Sequence, residues 1–400
     1  MRLACIAISV ALMSGCLRSN AQVQSNVNRV TVPMSVEGNV PIVTLTFKRP
    51  DGSSRLARFV FDSGGGAVIL DEQLAADLGL RPHGDTIWDQ GKSYRAVDVP
   101  AAFVGGMPVV LRNTKAFVHV GAASFTNSVK VEGLLPGKAL ELYQIVLDYP
   151  KQQLSIGDPG SISHRGEKLL CPYIASSGHP RVDVEFGSET YGFLLDTGTQ
   201  LTLIRDDMIR RLSEEHVDWS SSTGAVGAAN VNGASDDALL VRIPTIHLGS
   251  LTVSHVAAVS RPNEVYSATA YETPAPIIGA LGGNVLSRFR VEIDYPDQLL
   301  FLEPSGVEQT NDFDTVGLVL DTNSAGQLVV RAVSSSASTM THQNILPGDI
   351  IMQITGFEPA PYTLAEASRG LSGEVGERKN LAILRQGKLL SVTVDVSRIL

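Results

Sequence analysis

The 400-residue sequence is short of cysteine, of aromatic side chains and of positive charge. Its three cysteines are Cys5, Cys16 and Cys171, and Cys5 lies within the N-terminal segment. No disulfide framework can be built from the others, and no Cys/His spacing matches a zinc site. The eight histidines are scattered without a His-x-x-x-His pair, so no metal is expected. There is no Gly-x-Ser-x-Gly elbow and no phosphate-binding Gly-x-x-x-x-Gly-Lys loop. Lys and Arg number 32 against 41 Asp and Glu, a formal charge of −9. Residues 315–400 carry seven of each sign, so the acidic excess precedes them. An acidic chain without basic stripes lacks what nucleic-acid phosphates require. Long apolar runs are also missing. The longest, Leu3 to Met13 broken by Ser9, falls short of the ~20 residues that span a bilayer as a helix.

Apolar residues make up 44% and charged residues 18%, enough hydrophobicity for sizeable cores and too little charge for wholesale disorder. With 37 Gly, 20 Pro and few aromatics, the profile suits many short strands joined by turns. Arg2 followed by the short apolar run reads as a signal peptide over residues 1–21. Its end, Leu12-Met13-Ser14-Gly15-Cys16, resembles a bacterial lipoprotein box, which implies lipid attachment at Cys16 and tethering to a membrane surface in the cell envelope or periplasm. Plain secretion after Ser19-Asn20-Ala21 is the alternative. Cys171 reads as a small, partly buried residue.

The sequence repeats itself. Arg58 to Leu70 and Gly192 to Ile204 both read apolar strand, Asp-hydroxyl-Gly turn, apolar strand, around Asp62-Ser63-Gly64 and Asp196-Thr197-Gly198. Alternating segments precede each (Val43 to Phe47, Val182 to Phe186), with turn signals at Asp51-Gly52 and Gly187-Ser188. Short helical patterns follow, Asp71 to Leu80 and Asp206 to Leu212. Further on, Val131-Glu132-Gly133 through Asp148-Tyr149-Pro150 aligns without a gap to Ile277-Ile278-Gly279 through Asp294-Tyr295-Pro296. Two copies carrying the same elements in the same order outweigh any single tripeptide, which alone would read as a surface turn. Asp148 and Asp294, each before Tyr-Pro at a strand end, read as turn formers.

These residues resemble the retropepsin-type aspartic peptidase lobe, in two copies over roughly residues 35–305. The second copy matches closely; the first departs at Glu132, where the family prefers an apolar residue, and at Gly65-Gly66. The resemblance implies a mainly β, bilobal acid-protease-type pair of β-barrels, a pseudo-dimer within one monomeric chain, with lobes at 35–160 and 161–304. It makes Asp62 and Asp196 the catalytic pair of an endopeptidase that needs no cofactor and acts on peptide or protein substrates. Hydrolysis without metal or covalent nucleophile needs a base for water and an acid for the carbonyl oxygen. Two carboxyls in contact cannot both ionise and share one proton, aspartic peptidases being the standard case. Gly64 and Gly198 allow tight turns and close approach of the loops. Ser63 and Thr197 brace the opposite loop, as in the family. Candidate flaps are Trp88 to Val99, with Gly91 at its turn, and Gly224 to Asp237, with Asn232-Gly233.

The polar stretch 305–315 reads as a linker. From 316 to 400 the order of strands and helices, and Pro347-Gly348-Asp349-Ile350-Ile351 in particular, is similar to a bacterial PDZ domain, a small β-barrel with one or two helices. Ser334 to Asn344 departs from that family's small-residue helix start. The similarity implies capture of a C-terminal peptide by strand addition, with Val316-Gly317-Leu318 as the carboxylate loop. Two rivals stand beside the peptidase: a catalytically silent peptide-binding lipoprotein, and a lipid-tethered scaffold whose PDZ-like part does the work.

Overall fold

The computed structural model describes residues 28–89, 92–111, 114–120, 130–223, 238–269, 272–306, 313–323, 325–357 and 361–400. Strand accounts for 51% of them and helix for 12%, so the chain is mainly β, with its sheets closed into barrels. Cys16, Gly91, Asn232 and Gly233 lie outside the described residues.

Each sequence copy folds by the same scheme. In the first, Val40–Lys48 pairs antiparallel with Ser54–Asp62, and Gly133–Pro136 then inserts parallel to Ser54–Asp62 and antiparallel to Ala67–Leu70. In the second, Arg181–Phe186 pairs antiparallel with Glu189–Leu195, and Gly279–Leu281 lies parallel to it and antiparallel to Thr202–Arg205. Backbone bonds outside the ladders repeat as well: Asp71 N–H to Glu132 O at 2.8 Å and Arg205 N–H to Ile278 O at 2.8 Å.

The inserted strand explains the glycine of the apolar-apolar-Gly signature. A Cβ on Gly133 would meet Ile69 O at 2.2 Å and the Phe59 ring at 2.4 Å. One on Gly279 would meet Leu203 O at 1.9 Å and the Phe193 ring at 3.0 Å. Only a residue without a side chain fits where a strand crosses that close to its neighbours.

The copies join through a central antiparallel sheet in the order Glu167–Leu170, Leu299–Pro304, Phe289–Asp294, Gln144–Asp148, Gln153–Gly157, Arg29–Glu37. At its middle, Gln144 faces Asp294 and Asp148 faces Arg290. Those are reciprocal positions of the duplication, so the ladder itself carries a local twofold axis through the Val146–Glu292 pair. The turn after each middle strand is duplicated too, with Gln152 and Gln298 both at positive φ (51° and 55°). Asp148 and Asp294 cap these turns by accepting from the Lys151 and Asp297 N–H, each at 3.2 Å. One buried cluster, from Met34 to Leu302, runs through both copies.

The helix expected over Asp71 to Leu80 is shorter, Glu72–Asp77. Asp71 caps its start and Gly79, at φ +68°, ends it. The second helix runs longer than expected, Asp206–Glu215. Trp88 to Val99 falls on an antiparallel hairpin, His83–Asp89 with Lys92–Val97.

The C-terminal unit is a five-stranded sheet, Leu318–Thr322, Leu328–Val333, Ile350–Ile354, Arg378–Arg385 and Lys388–Asp395 in spatial order, with helices Thr339–Asn344 and Leu364–Leu371. Its own core includes Val330, Ile351, Ile354, Leu381 and Ile383. The linker expected over 305–315 ends early. Asp314–Thr315 is a strand paired with Ser397–Arg398, and Phe313, the aromatic residue in that polar stretch, is buried.

Candidate active site

Both Asp-hydroxyl-Gly turns lie where a strand leaves its barrel toward the other copy. Phe61 and Leu195, the residues before the two aspartates, are fully buried and anchor the turns from below. The hydroxyl residues then tie the turns together in a crossed lattice. Thr197 Oγ1 accepts the Ser63 N–H at 3.0 Å and donates to Phe61 O at 2.8 Å. Ser63 Oγ accepts the Thr197 N–H at 3.0 Å and donates to Leu195 O at 2.6 Å. Ser63 and Thr197 are completely buried, and their hydroxyls and backbone N–H groups are paired across the local twofold.

This lattice sets Asp62 and Asp196 against each other. A Cβ on Gly64 would lie 2.8 Å from Asp196 Cγ, and one on Gly198 2.5 Å from Asp62 Cγ, so each glycine makes room for the opposite carboxyl. The two carboxyls therefore face one another, placed for a hydrogen bond through one shared proton. The Asp62 backbone carbonyl accepts from the Gly65 N–H at 3.1 Å. Asp196 accepts from Gly198, at 2.9 Å, and from Thr199. Desolvation pushes the Asp62 carboxyl above its usual range. Desolvation and then the Asp62 charge push Asp196 well above it. A hydrogen bond between two carboxyls requires one of them to keep its proton, so the pair holds one proton over a wider pH range than an isolated carboxyl would.

Two buried tyrosines, at matching positions of the duplication, lie in the field of the pair. Tyr149, from the first copy, lies in the field of Asp196, and Tyr295, from the second, in the field of Asp62. Tyr295 packs against Gly137, where a Cβ would leave no room for its hydroxyl. Sequence reasoning missed both, although they recur within the duplicated Asp-Tyr-Pro triplets. It also missed His179, whose buried ring stands 3.6 Å from where a Gly66 Cβ would be, with Glu272 3.3 Å from its Nδ1. Burial pushes the His179 imidazole below its ordinary value.

With this geometry in place, comparison with known proteins adds a family. Residues 182–288 match "gag-polyprotein putative aspartyl protease". The matched stretch contains Asp196-Thr197-Gly198 and Ile277-Ile278-Gly279, both elements of the second copy. The first copy lies outside the aspartyl protease match. No curated protein matches the chain.

Glu132 is the clearest chemical difference in that first copy. Its carboxylate is buried and ion-paired to Arg55, which also holds Asp77 at 2.8 Å. The apolar contact made by Ile278 in the second copy is thus replaced by a paired charge, and the strand register is unchanged. Cys171 is buried without a disulfide, and desolvation pushes its thiol up to about 12. Among the described residues no group of three or more His, Cys, Asp or Glu side chains is placed to hold a metal ion. In the C-terminal unit, the Val316 N–H donates to Leu371 O at 3.1 Å, so it is committed within the unit. Gly317 sits at φ +77° and its carbonyl accepts from Ser334.

Proposed function

We propose that the chain is an aspartic endopeptidase whose catalytic pair is Asp62 and Asp196. The observation that carries this reading is the facing of the two carboxyls across duplicated turns that the Ser63/Thr197 lattice ties together. The match of residues 182–288 to an aspartyl protease family supports it for the second copy.

In this reading the ionised carboxyl takes a proton from a water molecule as its oxygen attacks the peptide carbonyl carbon. The protonated carboxyl gives its proton to the carbonyl oxygen, forming a tetrahedral diol. The proton taken from water then passes to the amide nitrogen. The C–N bond breaks as one diol hydroxyl returns its proton to the other carboxylate, and the pair is left with one proton again. The buried tyrosines and strand residues beneath the site keep water from solvating the pair freely.

Asp62→Asn and Asp196→Asn should each lower hydrolysis of a mixed peptide library by at least about 10²–10⁴-fold. The crossed hydroxyl lattice, which the substitutions do not touch, should keep the fold intact by circular dichroism. Wild-type turnover in either variant would reject the assignment. A wild-type chain that binds peptides and cuts none between pH 3 and 8 would favour the silent binding protein.

The C-terminal unit enters the same proposal as a PDZ-like docking module. Among the described residues, Leu318–Thr322 pairs on one side only, with Leu328–Val333, which leaves an edge for an extended peptide. Export and anchoring through a lipid at Cys16 complete it; loss of detergent-phase partitioning in Cys16→Ser is the expected outcome.

A further inference from the structure

The sheet of the second copy has two apolar faces. Phe193, Leu195, Ile204 and Leu281 enter the main core. Their alternating neighbours Leu194, Leu203 and Ala280 face the other way, into a separate buried cluster with Leu201, Val259 and Ile277. That second cluster is completed from the far end of the chain by Phe313, Val319, Ile399 and Leu400.

The C-terminal contribution is firmly built. The Ile399 N–H donates to Phe313 O at 3.0 Å, beside the short ladder Asp314–Thr315 with Ser397–Arg398. Val319 sits in this cluster, whereas Leu318 and Leu320 pack against the unit's own core, so one strand serves two interiors. The Arg242 guanidinium of the second copy lies 5.9 Å over the Phe313 ring.

The cluster also reaches the candidate active site. Leu194 and Leu201 flank Asp196 in the chain, and Tyr266, another member, lies in the field of that carboxylate. The matching face of the first copy holds Val40, Ile42, Val60 and Val131, with Leu134 against them, and among the described residues takes in none from the C-terminal unit.

We propose that Val319, Ile399 and Leu400 are positioning residues for Asp196, so that the C-terminal unit is a wall of the second catalytic half and not merely a tethered docking module. The inference rests on the reading of Asp62 and Asp196 as the catalytic pair, but its first readout does not. Hydrogen–deuterium exchange is measured on the full chain, comparing Ile399→Ala, Leu400→Ala and the milder Ile399→Val with Leu389→Ala, an exposed residue of the same unit. In the two cluster alanine variants, residues 192–205 should exchange faster, while the duplicate segment 58–70 and the strand Ile350–Ile354 stay as in the wild type. Ile399→Val should restore most of the protection. With a short peptide substrate, kcat should fall on the order of tenfold in the alanine variants, since small misplacements of a reacting group are costly. KM should change little, and Leu389→Ala should match the wild type. Unchanged exchange over 192–205 in both alanine variants, or equal loosening of 58–70, would overturn the proposal. If the wild type cleaves nothing, the peptidase reading fails, and the exchange pattern still decides whether the tail supports the Asp196 turn.

Discussion

The two halves of the molecule share a backbone and differ in what fills it. Gly133 and Gly279 occupy the same crossing, and Ser63 and Thr197 the same exchange of hydrogen bonds. Those positions answer to geometry: a strand with no room for a Cβ, and a pair of buried N–H groups with one acceptor each. Elsewhere the halves diverge. Glu132 with Arg55 stands where the second half has Ile278, Gly65-Gly66 stands where it has Thr199-Gln200, and among the described residues the C-terminal unit joins the outer apolar cluster of the second half and not that of the first. Backbone constraints admit one solution each, whereas a partly buried site can be filled by an apolar side chain or by a paired charge.

Substitutions at matched positions can break or sharpen this comparison. The largest effect is expected at the crossings. Gly133→Ala and Gly279→Ala each drive a methyl against a backbone oxygen and should cost about 1–3 kcal/mol or more in denaturant unfolding. A tolerated alanine at one site alone would show that the two crossings are not equivalent.

A smaller effect is expected where the halves differ. Glu132→Ala removes one partner of the partly buried Arg55 and should cost about 1–3 kcal/mol. Glu132→Ile, which gives the first half the residue of the second, should cost less, because Arg55 keeps Asp77 and the apolar contact is restored. An isoleucine variant less stable than the alanine variant would argue against that equivalence.

The smallest effect concerns the carboxyl pair. A carboxyl whose pKa is raised by folding binds its proton more tightly in the folded chain than in the unfolded one. Its contribution therefore favours folding at low pH and is lost as pH rises from the ordinary carboxyl range through the raised value. Asp196→Asn carries no such dependence. It should melt on the order of 2–4 °C above the wild type near neutrality, with the gap closing as the solution is acidified. A gap that stays constant with pH would mean that burial does not hold the proton on this pair.

Much of the site was legible in the sequence because its constraints are local. A hydroxyl and a glycine must follow the aspartate, and an apolar pair must precede the crossing glycine. The strand, turn and strand order then follows from alternation and turn residues. What escaped was what distance brings together. Tyr149 and Tyr295 read as companions of a turn, and nothing in their triplets says that each is buried in the field of the other copy's aspartate. Phe313 sits in a polar stretch that reads as a linker, and its burial depends on Leu240 and Arg242, far away in the chain. Glu132 read as a departure from the pattern, because its partner Arg55 lies on a neighbouring strand.

The central ladder has a last consequence. Gln144–Asp148 and Phe289–Asp294 are zipped edge to edge within one covalent chain. Two separate subunits making the same contact would come apart on dilution and lose the meeting of their acids. Here that encounter is intramolecular and first-order, so the facing carboxyls persist however few molecules are present.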